Sequence, residues 1–229
     1  MSILTESGRA AIALSIKEQP IHLAWGTGDA SWESNHKVEK TFLKGEIKLD
    51  HYPVKDVKVF KGEVIYKPSV DYIVDSSTGI IKRGESSSIL NDEDDTVTLE
   101  YTQSTKAEPI NSTKLINEVG RRTADEVIFC SGDDEGELIT PTGRFKPSSL
   151  PTGSLYLKFT FDFTDAWDQV IRELGVMVGT KVKEVLPPGQ RYFEPQDIID
   201  SGILLVLEHT VPLIRTAATR ETFSFVVTF

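Results

Sequence analysis

The feature that most constrains the fold is a strict alternation of apolar and polar residues in short segments along most of the chain. The segment ETFSFVVTF at 221–229 places an apolar residue at every second position, and GSLYLKFTFDF at 153–163 does the same up to Phe163. Successive side chains of a strand point to opposite faces, so this period indicates strands with one buried face. We expect the last segment to form a central, buried strand.

One segment departs from this period, because LTESGRAAIALSI at 4–16 repeats its apolar residues every three or four positions. That spacing predicts an amphipathic helix over 3–18, and the proline at position 20 prevents its continuation. The face predicted to pack consists of Leu4, Gly8, Ala11, Ile12 and Ile16. We expect Gly8 to permit close approach of another segment.

A short strand is predicted directly after this helix. Ile21, Leu23 and Trp25 alternate with His22 and Ala24, which is typical of a half-buried strand, and the glycine loop GTGD follows. This helix and strand have no partners nearby in the sequence. We therefore expect them to pack on elements much later in the chain.

The middle of the sequence, 37–103, has its own succession of short strands and turns. The segment DYIVDSSTGIIKRG predicts a hairpin, and TVTLEYTQ predicts a strand with one apolar face. Polar linkers bound this region. The predicted fold is mainly β with a short N-terminal helix (α+β). It has a discontinuous β-rich domain, 1–36 plus 104–229, and an inserted Ig-like antiparallel β-sandwich, 37–103.

Later segments carry three local predictions. The segment DEVIFCSGDDEGELITPTGRF predicts a hairpin around GDDEG, and PPGQRYFEPQDIIDSG predicts a loop with a short helix that ends at Gly202. The segment VIRELG predicts that Arg172 and Glu173 point to opposite faces of one strand.

Charge and cysteine content restrict the class of protein. The net charge is −10, which argues against a nucleic-acid grip and against an anionic membrane surface. The single cysteine, Cys130, excludes an intrachain disulfide and a cysteine-based metal site. No apolar run approaches a membrane span, and no secretory signal is visible, so we expect a protein kept in a reducing cytoplasm.

The sequence indicates no catalytic, cofactor-binding or metal-binding residues. Its four histidines lack a metal-ligand spacing. The acidic runs at 91–95 and 132–137 lack the spacing of a calcium loop and are interpreted as solvated turns. Phosphate-binding glycine loops and a G-x-S-x-G motif are absent. We therefore predict that the protein is not an enzyme.

Since no enzymatic site is indicated, binding to a partner is the class of function that remains. The three tryptophans could form a stacking platform for a ligand, or they could pack in the core and in an interface. The loop aspartate and the charged pair of VIRELG could each meet a partner. The candidate interface residues are Trp25, Asp29, Trp32, Trp167, Arg172 and Glu173.

Three stretches, taken in order, carry a resemblance to a known family. The opening LTESGRAAIALSI…PIHLAWGTGD resembles the start of the N-terminal, baseplate-attaching domain of tail-fibre proteins in contractile-tailed bacteriophages. The segment VIRELGVMVG resembles the I-x-E-x-G-[LV] strand of that domain. The middle segment, with its DY-x-V-D…TG-I-I hairpin, resembles a β-sandwich module common in phage virion proteins.

The resemblance implies a non-enzymatic virion structural protein, a tail or baseplate component assembled in the host bacterial cytoplasm. Such a protein would dock on other phage tail and baseplate proteins, in multiple copies around a symmetric ring, with no nucleic acid, membrane or cofactor. A fibre continues into a trimeric shaft, whereas this sequence ends at Phe229, so we expect a compact component. The alternatives are a capsid decoration or collar protein and a carbohydrate-binding β-sandwich.

Overall fold

The computed structural model describes residues 2–90 and 95–229 of the chain. Strands hold 49% of the residues and helix only 7%. The prediction of a mainly β protein with one short N-terminal helix is therefore confirmed. None of the helices in the described ranges is long and apolar enough to cross a membrane.

The contacts between residues divide the chain into two compact units. The first unit contains Met1–Gly28 and Glu108–Phe229, and the second contains Asp29–Ala107. The chain enters and leaves the second unit side by side, because the Gln103 N–H donates to the Ser34 carbonyl over 2.9 Å. That 37–103 is an inserted module, whose removal leaves a folded remainder, stays a prediction.

The first unit contains α1 and two five-stranded antiparallel sheets, with orders β16-β9-β1-β14-β18 and β11-β12-β10-β13-β19, beside the two-stranded sheet β15-β17. Its main core cluster contains residues of both large sheets and Ala13 of the helix. Its elements are α1 Glu6–Lys17, β1 Ile21–Gly26, β9 Glu118–Thr123, β10 Glu126–Gly132, β11 Leu138–Thr140, β12 Gly143–Ser148, β13 Ser154–Phe161, β14 Val170–Val178, β15 Lys181–Val182, β16 Tyr192–Phe193, the 3-10 turn Pro195–Asp197, β17 Ile198–Asp200, β18 Ile203–Ile214 and β19 Glu221–Thr228.

Strand β1 is buried on both faces, so the prediction of a half-buried strand is wrong. It pairs with β9 on one side and β14 on the other. Leu23 and Trp25 pack in the main core cluster, while Ala24 on the opposite face packs with Leu115 and Met177. The residue Leu115 covers the second face, and no local pattern around β1 could reveal it.

Helix α1 begins after Thr5, whose Oγ1 accepts a hydrogen bond from the Gly8 N–H. The predicted packing face is wrong for most of its residues, because Leu4 is 47% exposed and Ile12 is 39% exposed, while Ala13 is completely buried. Of the predicted face, Ile16 does pack against the main core cluster. A Cβ on Gly8 would meet only Leu4 and Thr5 of the same segment. The close approach occurs instead at Gly153, where an added Cβ would lie 2.9 Å from the Arg9 Cβ.

The final strand β19 lies at the edge of its sheet and is half-buried, which corrects the prediction of a central position. Its residues Phe223, Phe225 and Val227 pack against the main core cluster, as the alternation indicates. Alternation reports which side chains share a face, but the number of neighbouring strands depends on chain folding elsewhere. The alternation of β13 ends at Phe161, and Phe163 lies in the following turn, 40% exposed.

Two further local predictions are wrong. Strand β10 pairs with β12 and β13, while β11 and β12 form a tight hairpin around 141–142, so GDDEG is a connecting turn. The helix expected before Gly202 is only a 3-10 turn, followed by β17.

In the acidic turn at 132–137, Asp133 accepts from the Glu135 N–H and pairs with Lys146 at 2.9 Å. Of the other acidic run, 91–94 lies outside the described residues.

The second unit contains a four-stranded sheet, β2-β8-β4-β5, and a three-stranded sheet, β3-β7-β6, whose buried side chains form one core cluster. It is a β-sandwich, and the Ig-like assignment stays a prediction. The predicted hairpin is β6–β7, and the predicted alternation of TVTLEYTQ holds throughout β8. The strands are β2 Asn35–Thr41, β3 Glu46–Lys48, β4 Val54–Lys61, β5 Val64–Ile65, β6 Tyr72–Asp75, β7 Ile80–Arg83 and β8 Thr96–Gln103.

His22 gives the first unit a measurable dependence on pH. Burial, and to a smaller extent the Arg121 cation, lowers the pKa of His22 from 6.5 to about 4. The unfolded chain therefore takes up this proton first as the pH falls. The contribution to stability is complete above about pH 6.5 and is lost as the pH falls towards about 4. From this group alone, we expect the free energy of unfolding to be lower by about 2 kcal/mol at pH 5 than at pH 7.5.

Urea unfolding of the wild type and of His22→Gln at both pH values measures this difference. The variant should lose less stability on acidification, whatever its stability at pH 7.5. The lowered pKa of His36 in the second unit acts in the same direction, but it is common to both proteins. An identical loss in the two proteins would contradict the assignment to His22.

Candidate docking site around Trp167

The six candidate interface residues differ sharply in exposure. The side chains of Trp25, Trp32 and Glu173 are buried and offer a partner no surface. Trp167 is 62% exposed. Asp29 and Trp32 belong to the second unit and the other four to the first.

Trp25 is an element of the core. Its ring stacks on Phe161 with the centroids 3.6 Å apart, and Phe223 approaches its edge. The guanidinium of Arg215 lies over the ring at 5.0 Å. A buried aromatic ring with these neighbours stabilises the fold through its contact area and through the cation–π interaction.

Glu173 and Arg172 also make contacts inside the first unit. The Glu173 carboxylate accepts from the Ile116 N–H at 3.0 Å and lies 3.5 Å from His209. The Arg172 guanidinium donates to the Thr27 carbonyl. The pairing of β14 with β18 has a register irregularity between Ile171 and Glu173. That Arg172 and Glu173 point to opposite faces stays a prediction.

Close packing around Glu173 explains why the last residue of β1, Gly26, is a glycine. A Cβ added to Gly26 would lie 2.8 Å from Glu173 Oε2 and 2.9 Å from Leu115 Cδ2.

In the second unit, Asp29 closes a local turn, because its Oδ1 accepts from the N–H and the hydroxyl of Ser31. These contacts hold the chain in shape.

Trp167 lies on the turn between β13 and β14. The buried side chain of Arg215 contacts the backbone of this turn. Arg215 donates to the Asp162 carbonyl at 2.7 Å and lies within 3.5 Å of the Asp165 carbonyl. The Asp165 carboxylate is buried, pairs with Arg122 and accepts from the Asp162 N–H. The Arg215 guanidinium and the Arg122–Asp165 ion pair therefore stabilise the backbone of the turn that carries the exposed Trp167 ring.

The backbone on either side of Trp167 adopts a conformation that side chains disfavour. Ala166 has φ 47° and Asp168 has φ 61°, both in the left-handed region. Residues in this region cost about 1–3 kcal/mol and persist only where the surroundings determine them. The turn thus holds the indole outward at the expense of local backbone strain.

A cavity of about 470 Å³ opens beside the exposed indole. Burial raises the pKa of the Tyr192 phenol, whose hydroxyl donates to the Val119 carbonyl. The lining of the cavity includes apolar and hydrogen-bonding groups from β16, from the 3-10 turn with its preceding residue and from the Trp167 turn: Tyr192, Glu194, Pro195, Gln196, Trp167 and Gln169. The site can therefore accept an apolar side chain flanked by polar groups.

A second aromatic group of the same turn escaped the sequence analysis. Phe163 is partly exposed, with the Arg220 guanidinium over its ring at 4.8 Å. Arg220 also pairs with Asp162 at 2.9 Å, and this hydrogen bond is the main reason that the pKa of Asp162 is lowered. The alternation placed Phe163 in a strand, so its exposure had no local signal. No group of three metal-ligating side chains occurs within 2–90 and 95–229.

Substitution of the buried Arg215 and of the exposed Trp167 should change the free energy of unfolding to very different extents. Arg215→Met removes a buried cation and leaves the carbonyls of Asp162 and Asp165 without their donor. We expect it to lower the free energy of unfolding by about 3–5 kcal/mol. Trp167→Ala should change the free energy by no more than about 0.5 kcal/mol, because the ring projects into solvent. Urea unfolding followed by circular dichroism measures both, and a large loss in Trp167→Ala would assign the indole to the fold.

Comparison with known proteins identifies the protein family to which this sequence is related. The sequence matches the family described as "Baseplate wedge 3 tail fiber network component" over residues 1–47 and 96–229, which is well over half of the chain. Residues 48–95, all in the second unit, lie outside that match. A search of curated proteins found no match. The family indicates a phage baseplate protein with a structural role in the virion tail. On the extent of the match, the chain belongs to the baseplate wedge 3 tail fiber network component family.

Proposed function

We propose that this protein is a non-enzymatic building block of a phage baseplate that docks on other tail and baseplate proteins. It is assembled in the host cytoplasm and occurs in several copies around a symmetric ring. The first unit carries the docking surface, with the Trp167 turn as its anchor. The observation that supports this most directly is the exposed indole on a turn that two arginines hold rigid.

Exposed tryptophan is the side chain that most often dominates the energy of an interface. Truncation of such an anchor commonly costs 2 kcal/mol or more. A rigid turn loses little conformational entropy on association, so more of the contact energy appears as affinity. The cavity beside Trp167 gives a partner side chain a place to enter.

Buried ionic groups of the first unit are used in the fold, which favours a structural role. Arg121 forms two hydrogen bonds with the Glu118 carboxylate, at 2.7 and 2.8 Å, and a third with Thr180. Arg122 is paired with Asp165 beneath the Trp167 turn. These groups are held in place by partners within the chain.

The alternatives give different outcomes in the same experiment. A capsid decoration or collar protein would be recovered with heads and not with tails. A carbohydrate-binding module would use Trp167 as its platform, because Trp25 and Trp32 are buried. The amides of Gln169 and Gln196 could then contact sugar hydroxyls.

Virions produced with wild-type protein, Trp167→Ala or Val185→Ala test the proposal. Val185 is 88% exposed in the first unit and serves as the matched control. We expect quantitative mass spectrometry of purified tails to find wild type and Val185→Ala at equal occupancy. Trp167→Ala should show at least a tenfold lower occupancy when the protein is limiting, as a loss of about 2 kcal/mol implies.

Equal occupancy of all three proteins would remove Trp167 from the interface. Recovery of the wild type only with heads would reject the baseplate assignment. Binding of the wild type to a glycan array, lost in Trp167→Ala, together with unchanged occupancy in tails, would favour the carbohydrate alternative.

A further inference from the structure

The edge strand β19 lacks the features that normally prevent a sheet edge from pairing with another chain. Natural edges are protected by charged residues, proline, irregular register or short length. The eight residues of β19 contain one charged residue, Glu221, at the start, and no proline or glycine. In the described part of the chain, β13 is the only strand that forms a hydrogen-bonded ladder with it. The β11–β12 hairpin approaches β19 but forms no ladder with it.

The other long sheet edges of this protein do carry such protection. Strand β18 contains Pro212 and has register irregularities, and the Glu108 carboxylate accepts from its His209 N–H at 2.9 Å. Strand β2 carries Lys37, Glu39 and Lys40. The remaining edge strands of the described sheets have four residues or fewer. The edge of β19 is therefore unusual within its own molecule.

The register of β19 identifies the backbone groups that face outward. The Phe229 N–H donates to the Gly153 carbonyl, in register with the ladder between β13 and β19. Hydrogen-bonded pairs alternate along an antiparallel ladder, so the odd-numbered residues of β19 bond to β13. The N–H and C=O groups of Thr222, Ser224 and Val226 consequently point away from the sheet.

These outward groups border a cavity of about 740 Å³ in the first unit. The β11–β12 hairpin forms one wall of this cavity, opposite β19. The apolar lining residues are Ile139, Pro141, Leu174, Val206, Phe223, Phe225 and Val226. Glu208, an exposed residue of β18, is the only ionisable side chain among its described lining residues. The cavity thus combines an unpaired strand edge, apolar side chains and one negative charge.

We infer that this edge receives an extended segment of a different virion protein, which adds a sixth strand beside β19. The segment has alternating apolar side chains that enter the cavity and a lysine or arginine opposite Glu208. Main-chain hydrogen bonds to Thr222, Ser224 and Val226 hold it in register, as in other strand additions. This inference rests on the proposed function, because it names a second surface by which the protein docks in the baseplate.

The charges favour a different protein over a second copy of this chain. The 221–229 segment of a second copy contains no basic residue and would bring Glu221 towards a surface that already carries Glu208. The chain as a whole has a net charge of −10, so two copies repel each other. A basic extended segment meets both the hydrogen-bonding and the electrostatic requirement of the cavity.

Amide hydrogen exchange, measured on the free full-length protein and on purified baseplates, tests the inference. The amides of Thr222, Ser224 and Val226 should exchange rapidly in the free protein. In baseplates, their exchange should slow by at least a hundredfold. Equal exchange in the two samples, with the protein present in baseplates, would reject strand addition and leave the proposed function standing. Absence of the protein from baseplates would reject both.

Val226→Pro and Val226→Thr form the matched pair of variants. Proline removes an outward N–H without breaking the ladder to β13, whereas threonine keeps the N–H and nearly the same shape. Both should retain the wild-type thermal midpoint to within a few degrees. Only the proline variant should lose at least tenfold in occupancy in tails. Equal occupancy of two folded variants would contradict the inference, and the exchange comparison decides the case if the proline variant is unfolded.

A photo-crosslinking residue placed at position 226 in assembled baseplates identifies the occupant. The inference requires an adduct with a different protein, at a segment of alternating apolar residues that contains lysine or arginine. It also requires that Glu208→Lys, but not Glu208→Gln to the same extent, reduces the yield at least tenfold. An adduct between two copies of this chain, or no adduct at all, would overturn the choice of occupant.

Discussion

The structure of the first unit depends on the position of β1 between β9 and β14. This strand, Ile21–Gly26, is near the start of the chain, yet both of its neighbours come after residue 117. Both of its faces are covered, by the main core cluster on one side and by Leu115 and Met177 on the other. A sheet that lacked β1 would leave β9 and β14 without their shared partner. The N-terminal segment and the long C-terminal segment therefore fold as one unit.

Arg215 connects this buried strand to the surface. Its guanidinium packs over the ring of Trp25 and donates to the backbone of the turn that displays Trp167. A buried cation is costly unless it is paired and hydrogen-bonded, and here carbonyl groups, the Glu221 carboxylate and an aromatic face contact the guanidinium, whereas its Nε has no hydrogen-bond partner among the described residues. The same side chain thus stabilises the core and determines the shape of the proposed anchor.

The local pattern of the sequence predicted strands well where one face of a strand is buried in a regular ladder. The alternation of β8 and β13 was sufficient, and the hairpin β6–β7 followed from its turn residues. The same pattern could not predict sheet order. Whether β19 is central or at an edge, or β10 pairs with β11 or with β12, depends on contacts between residues that are distant in sequence.

The candidate site was predicted only in part, for a related physical reason. Trp25 and Trp167 are the same residue type, yet one is completely buried and the other projects from a turn. Exposure depends on Arg215, Asp165 and the strained backbone at Ala166 and Asp168, which no short motif encodes. The helix face was predicted only in part, because the small residue Ala13 packs in the core together with Ile16, while the larger Ile12 remains exposed.

The central claim is that the two ends of the sequence form one docking unit into which 37–103 is inserted. Replacing 37–103 by a short glycine-serine linker and recording a thermal melt by circular dichroism tests this directly. We expect a cooperative transition and blue-shifted tryptophan fluorescence from the buried Trp25. A remainder without a cooperative transition, or with solvent-exposed tryptophan fluorescence alone, would contradict it.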